Sequence, residues 1–459
     1  MFQKRETFGS ETDKSIEPAR VIIMGAAGRD FHDFNTRFRN NPCERVICFT
    51  AAQIPNIEGR RYPAELAGPR YPNGILIYAE EELPSLIKKY NVNTVYLSYS
   101  DLSHIDVMHK ASVVLASGAN FALLGPRSVF LHAAVPVIAV CAVRTGSGKS
   151  QTSRYVAKYY KNKGARVVVL RHPMPYGDLS KQAVQRFATY ADLDAHKCTI
   201  EEREEYEPHI ANGIVVYAGI DYQRILALAE READIIIWDG GNNDIPFIKP
   251  NLHIVVVDPH RAGHEITYHP GETNFRMADV LIINKIDSAQ EHEVAVVEKN
   301  IKLYNPKAVV VKAASPLRID SPQRIAGARV LVIEDGPTLT HGGMLYGAGM
   351  LAAKRHHARE IIDAQKYAAG SIRDIYKKYP ALHKILPAMG YSKAQVADLE
   401  KTINRANCDL VIDASPVDIS RILKVNKPIV SVRYELAEVG KPKLPKILSR
   451  IRIKLQDAH

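Results

Sequence analysis

Cysteine is scarce in this chain and carries no pattern. Its five cysteines, Cys43, Cys48, Cys141, Cys198 and Cys408, include no C-x-x-C pair. That removes the usual sign of a thiolate metal site or a disulfide framework and points to reduced core thiols of a cytoplasmic protein. Long apolar runs are missing too. The longest, residues 129–143, is interrupted by His132 and Pro136 and falls short of the roughly 20 residues that span a bilayer. Residues 1–19 are polar and mixed in charge, so a flexible tail is expected there and not a signal sequence. No internal repeat, low-complexity tract or nucleic-acid-binding motif occurs. Neither a membrane nor a nucleic acid is therefore an expected partner.

What remains is a basic chain of enzyme size. Its 459 residues exceed the roughly 250–300 at which a single core stops growing, so more than one domain is expected. The net charge of +11 suits a polyanionic ligand, although a thermophilic surface produces the same excess.

Residues 20–134 open on Arg20-Val21-Ile22-Ile23-Met24, a buried-strand pattern, and pass through Gly25-Ala26-Ala27-Gly28-Arg29-Asp30 into a helix candidate at 31–40. Further apolar strands at 45–49, 74–78, 94–98 and 120–124 predict a Rossmann-like parallel sheet. The glycine fragment lacks the full G-x-G-x-x-G spacing. Its amides and Arg29 are equally compatible with a phosphate site and with a tight turn that only packs.

Residues 135–345 carry the chemistry. The apolar run 136–143 leads into Arg144-Thr145-Gly146-Ser147-Gly148-Lys149-Ser150, followed by a helix-forming segment from Gln151 to 163. A strand that ends in a glycine turn and restarts as a helix presents backbone N–H groups and a positive helix end to an anion. Lys149 is then expected at the terminal phosphates of ATP or GTP and the Ser150 hydroxyl on Mg²⁺. Val143 stands where the pattern calls for its first glycine. Downstream, the apolar run 234–238 ends in Asp239-Gly240-Gly241, which places a carboxylate beside Ser150 for Mg²⁺ or a metal-bound water.

Three more predicted strand ends carry polar groups, and ligands of open α/β sheets gather at such ends. The first ends in Arg171-His172 and Asp178; the second in Asp258-Pro259-His260-Arg261-Ala262-Gly263-His264-Glu265; the third in Asn284-Lys285-Ile286-Asp287. Arg171, His172, His260, Arg261 and His264, with His341 as a further candidate, could bind substrate phosphates. The N-K-I-D residues Asn284, Lys285 and Asp287 suit a nucleotide base. Asp287 could accept from guanine and Asn284 could read adenine, so these residues leave ATP and GTP open. His341-Gly342-Gly343 is either an anion turn or a flexible one. The basic stretch 354–359 reads as a solvated helix face. Residues 346–459 are predicted to add helices and two late strands, 409–414 and 428–433, that complete the sheet of the P-loop domain.

The order of P-loop, strand-Asp-Gly-Gly, Asp-Pro-His-Arg-x-Gly-His-Glu and Asn-Lys-Ile-Asp behind a Rossmann-like domain resembles the cyclic 2,3-diphosphoglycerate synthetase family, from about Arg20 onward. The P-loop domain also resembles the wider class that includes dethiobiotin synthetase and the nitrogenase iron protein. In that class the loop reads K-G-G-x-G-K-[ST], and its first lysine touches a phosphate across a dimer. Arg144 holds that place here and Thr145 replaces a glycine. The resemblance implies a homodimer, and Arg144 could act as an arginine finger or face solvent. It implies that ATP with Mg²⁺ drives closure of 2,3-diphosphoglycerate to its cyclic anhydride, releasing ADP and phosphate. Lys149, Arg144 and Asp239 would be catalytic, residues 145–151 would hold the nucleotide, and Ser150 and Asp239 the metal. A GTPase acting as a switch or metal-delivery protein, or a ligase that activates another carboxylate or phosphate substrate, would use the same cradle.

Overall fold

The computed structural model describes residues 17–455 apart from 27, 53–58, 173, 175–176, 242–243, 337–346, 389 and 391. Its centre is a nine-stranded sheet, in the order Gln185–Phe187, Val215–Ala218, Val167–Arg171, Ile235–Asp239, Val137–Ala142, Leu252–Val257, Val280–Ile283, Val309–Ala314 and Ala437–Val439. The two edge strands run antiparallel to their neighbours and every inner pairing is parallel. Parallel strands are buried on both faces, which is why Val137–Ala142 reads as an unbroken apolar run. Side chains alternate across it: Ile138, Val140 and Ala142 enter one core, and Val137, Ala139 and Cys141 the other.

A six-stranded sheet precedes it, ordered Arg61–Tyr62, Ile75–Ala79, Glu44–Ala51, Ala19–Met24, Thr94–Leu97 and Asn120–Leu123. Its pairings are parallel except at the Arg61–Tyr62 edge. The glycine turn after Ala19–Met24 holds its own anion. Asp30 accepts the Gly28 amide at 3.1 Å and the Phe31 amide at 2.7 Å, and a Cβ on Gly25 would meet the same carboxylate. Arg29 pairs with Asp33 at 2.9 Å and donates to the Ile245 carbonyl at 3.0 Å. Of the two readings of this turn, the packing one describes what these residues do.

The late strands do not complete the central sheet. Leu410–Ala414 pairs with Arg329–Asp335 and Ile429–Tyr434, and these belong to a third sheet with Leu317–Ile319, Glu360–Ile361 and Leu386–Ala388. The chain returns to the centre only afterwards. Ala437–Val439 adds the far edge, and the following helix, Leu444–Leu448, puts Leu444 and Leu448 into the central core. No helix among the described residues is long and apolar enough to cross a membrane.

Candidate active site

Residues 143–150 leave the middle of the central sheet and turn into the helix Lys149–Lys161. Gly146 and Gly148 have φ of 81° and 109°, a region that favours glycine. A Cβ on Gly148 would overlap the Asn284 amide. The first turn of the helix holds no acidic side chain, which leaves its N–H groups and positive end available to an anion.

The N-K-I-D residues brace this loop. Asn284 Nδ2 donates to the Ser147 carbonyl at 2.9 Å and Lys285 Nζ to the Gly146 carbonyl at 2.7 Å. Asp258 pairs with Lys285 at 2.8 Å and with Arg261 at 3.0 Å, and Arg261 donates to Ser147 Oγ at 3.2 Å. Burial opposes the Asp258 charge, but the two cations outweigh it and hold the carboxyl below its usual range. Asp287 accepts the Ser315 amide at 3.1 Å, and the Ser315 hydroxyl links Asn284 Oδ1 at 3.1 Å to Gln151 Nε2 at 2.7 Å. Asn284 and Asp287 are thus engaged by protein groups where base contacts were expected, and only Lys285 of the three lines the cavity described below.

Asp239 ends its strand fully buried among donors. Lys149 Nζ lies at 2.6 Å, Arg171 Nη1 at 2.8 Å, Ser153 Oγ at 2.7 Å and His209 Nε2 at 3.1 Å. Burial alone would favour the neutral acid; Arg171 and Lys149 reverse this and hold the carboxyl well below its ordinary value. His209 is itself buried, which lowers its pKa despite the bond to Asp239. It sits on the helix Ile200–Ile210, whose capping box pairs Thr199 with Glu202.

Arg144 stands in a three-sided clamp. Asp101, from the connection between Thr94–Leu97 and Asn120–Leu123 of the N-terminal sheet, takes its Nε at 2.6 Å and the Thr145 hydroxyl at 2.7 Å. His264 Nδ1 accepts from its Nη1 at 2.8 Å, and its guanidinium lies 3.7 Å from the centre of the Tyr268 ring. Burial, then Arg144 and Arg261, lower the His264 pKa, which keeps the ring neutral and able to accept. Antiparallel pairing of Leu102–Ser103 with Tyr268–His269 fixes the same junction. Arg144 is therefore neither a free finger nor a solvent-facing side chain.

A cavity of about 910 Å³ opens between the P-loop, the helix Ile200–Ile210 and the third sheet. Arg144, Thr145, Gly146, Gly148, Lys149, Ser150, Gln151 and Lys285 line it from the loop side. The five expected substrate ligands are not on its wall. Arg171 is fully buried between Asp239 and Glu205, and His172 is 2.6 Å from Asp244. Arg261 and His264 are tied to the loop as above, while His260 is an exposed residue 3.0 Å from Ser288 Oγ. Acids or loop groups already engage Arg171, His172, Arg261 and His264, so strand-end position alone did not aim them at a ligand. His341, Gly342 and Gly343 lie outside the described residues.

Other groups do face the cavity. Arg154, one helical turn beyond Ser150, lines it without a hydrogen bond or ion pair to any described residue; Arg318 and Arg433 line it from the third sheet. The i, i+4 spacing from Ser150 to Arg154 was a signal available in the sequence. Against these stand Glu204, Glu205, Glu207, Glu334, Asp335 and Asp418. Burial pushes Glu334 up to about 7, although the Gly347 and Met350 amides donate to it at 3.1 and 2.9 Å.

Comparison with known proteins gives these residues a context. Residues 212–314 match the P-loop domain of cyclic 2,3-diphosphoglycerate synthetase. A Thermococcus kodakarensis protein named arginine synthetase ArcE is 61% identical over 429 residues, covering 94% of this chain and 96% of its own. Among solved structures, LpxK from Aquifex aeolicus in complex with ATP has a TM-score of 0.43 at 15% identity, over 70% of this chain and 90% of its own. A ParA family ATPase from Chlorobium tepidum has a TM-score of 0.24 at 14% identity, over 40% and 84%. The chain belongs to the cyclic 2,3-diphosphoglycerate synthetase family and is an ATP-dependent P-loop synthetase.

Proposed function

We propose that this synthetase makes arginine, phosphorylating the ureido oxygen of citrulline with ATP and replacing that oxygen by nitrogen. The name of the 61%-identical relative supports the product, and the chemistry follows from it. Arginine differs from the ureido amino acid by one nitrogen in place of oxygen. Attack of the ureido oxygen on the γ-phosphorus breaks the bond to ADP and turns a poor leaving group into phosphate. A nitrogen nucleophile then adds to the ureido carbon, phosphate departs with the oxygen, and a proton is released.

The observation that carries this reading is the acidic wall of the cavity. Glu204, Glu205, Glu207, Glu334 and Asp335 share it with the P-loop. Carboxyls of this wall can accept the N–H groups of a ureido substrate and of a guanidinium product, donors that a bisphosphate does not offer. We assign Thr145, Gly146, Ser147, Gly148, Lys149, Ser150 and Gln151 to the nucleotide phosphates, with Lys285 and Asn284 holding the loop in shape. Lys149 and Arg154 are the groups we assign to charge on the transferred phosphoryl, since phosphoryl transfer depends chiefly on positioning and electrostatics. Arg144 we assign to positioning of the loop.

Ser150, on the cavity wall, offers a hard oxygen donor of the kind Mg²⁺ takes beside nucleotide phosphates, and that ion would neutralise phosphate charge. Asp239 is off the wall, held by Lys149, Arg171, Ser153 and His209, and would join the ion only by giving up one of these partners. Among the described residues no cluster of three or more His, Cys, Asp or Glu could hold a metal by itself.

Closure of 2,3-diphosphoglycerate is the second reading, favoured by the family domain and by Arg154, Arg318 and Arg433 on the cavity wall. Purified protein with ATP and Mg²⁺ is offered either citrulline with ammonium or 2,3-diphosphoglycerate, and ADP and products are followed. ADP, phosphate and arginine in equal amounts are expected from the first mixture; a cyclic phosphoanhydride from the second, with no arginine from the first, would replace this reading by the other.

A further inference from the structure

The helix Ile200–Ile210 carries five glutamates, and four of them have protein partners. Glu201 accepts the Gly390 amide at 3.1 Å, Glu202 the Thr199 amide at 2.8 Å, Glu205 pairs with Arg171, and Glu207 with Arg203 at 3.1 Å. Glu204 differs. It is 6% exposed, it lines the cavity, and its Oε1 is buried without a hydrogen-bond partner. A buried carboxyl oxygen left unpaired is destabilising, and a ligand that donates to it would remove that cost.

We propose that Glu204 anchors a nitrogen-cation subsite of this cavity, which takes an ammonium ion or a primary ammonium group and holds it beside the nucleotide site. The surroundings specify the charge. Burial, then Asp335, Glu201 and Glu205, push the Glu204 carboxyl well above its ordinary range, a tendency that a cation in contact reverses. They also specify the type of cation. Glu205 and Glu207 already hold arginines, which leaves Glu204 to accept. A nitrogen cation needs only directed acceptors for its N–H groups. The inference deepens the arginine reading, because that reaction consumes a nitrogen nucleophile and handles an amino acid.

The test uses the full chain and the variants Glu204→Gln, which keeps the shape, and Glu204→Asp, which keeps the charge. Initial rates with ATP are measured against ammonium and against citrulline. Glu204→Gln is expected to raise one of these two KM values about tenfold or more, to leave the KM for ATP within about twofold, and to be partly rescued in Glu204→Asp. A rise confined to ammonium identifies the free ion as the occupant; a rise confined to citrulline identifies the amino acid's own ammonium group. Both support the subsite.

Calorimetric titration with methylammonium chloride, which needs no turnover, separates this inference from the assigned reaction. Binding that Glu204→Gln abolishes, in a protein that does not consume citrulline, would sustain the subsite and refute the reaction. Unchanged KM values together with methylammonium binding that is absent or insensitive to Glu204→Gln would overturn the subsite. Should Glu204→Gln fail to fold in a thermal melt, methylammonium binding to the wild-type protein decides, its absence overturning the proposal.

Discussion

Lys149 Nζ lies 2.6 Å from the carboxylate of Asp239, so the lysine of the phosphate loop and the acid at the neighbouring strand end form one buried ion pair. Arg171 and His209 complete it from below the sheet end. In the proposed role Lys149 supplies a cation to the phosphates, and Lys149→Ala is expected to lower kcat about 100- to 1,000-fold. Removing the acid leaves Lys149, Arg171 and His209 facing one another. Asp239→Ala is expected to lose about 3–5 kcal/mol of stability as well as turnover. Urea unfolding checks it, and a variant as stable as the wild type would contradict the account of Asp239 as the charge that holds this cluster.

Gly148 predicts a backbone effect without loss of any functional group. Its φ of 109° and the Asn284 amide against its Cβ position mean that Gly148→Ala must shift the loop. Fluorescent-nucleotide titration is expected to show ATP affinity falling about 5- to 150-fold, the equivalent of about 1–3 kcal/mol of backbone strain. Wild-type affinity would show that the loop tolerates another shape.

Asp101 joins the N-terminal region to the phosphate loop through Arg144 and Thr145. Its φ of 60° is one that asparagine tolerates, so Asp101→Asn removes the charge and keeps the turn. A loss of about 1.5–3 kcal/mol is expected for a charged hydrogen bond, together with a higher KM for ATP. An unchanged KM would mean that the clamp on Arg144 does not position the loop.

How much of this was legible in the chain depended on where the signal lay. The phosphate loop was legible because its requirements are local: a strand, φ-permissive glycines at 146 and 148, and Lys149-Ser150 at a helix start. Most of the inner strands of the central sheet showed as apolar runs, 137–142 among them, but their order in the sheet did not. The later strands were recognised as strands, but nothing local tells Leu410–Ala414 which sheet to join, and it pairs with Arg329–Asp335 instead of the central one. Strand-end cations were found but not their aim, since Arg171 meets Asp239 and Glu205 only in three dimensions. The helix Ile200–Ile210 was the deepest omission. Its run of glutamates has the composition of a solvated face, yet Glu201, Glu202, Glu204, Glu207 and His209 are all buried, and Glu201 and His209 meet Gly390 and Asp239, which are far away in sequence.

His32 gives a pH test of the packing between the N-terminal and central sheets. Its ring stacks on Phe247 at 4.1 Å and Nε2 donates to the Val129 carbonyl at 2.7 Å. Burial, helped by Arg29, lowers its pKa to about 3. The unfolded chain binds a proton near pH 6.5 that the folded chain refuses, so this group's contribution is complete above about 6.5 and is lost as pH falls toward 3. His32→Gln removes the titration. The stability of the wild type relative to that variant is expected to fall by up to about 1.4 kcal/mol per pH unit between those limits. Groups common to both proteins, Glu334 included, cancel in the difference. A pH-independent difference would place a charged or exposed imidazole at position 32.

The most direct test of the assigned reaction follows one oxygen. Citrulline labelled with ¹⁸O in its ureido group is turned over with ATP and ammonium, and the inorganic phosphate released is analysed by mass spectrometry. Transfer of phosphorus to the ureido oxygen predicts that each phosphate formed with arginine carries one ¹⁸O atom. Unlabelled phosphate would mean that ATP is cleaved by water and that the ureido oxygen is never activated, which would contradict the central claim.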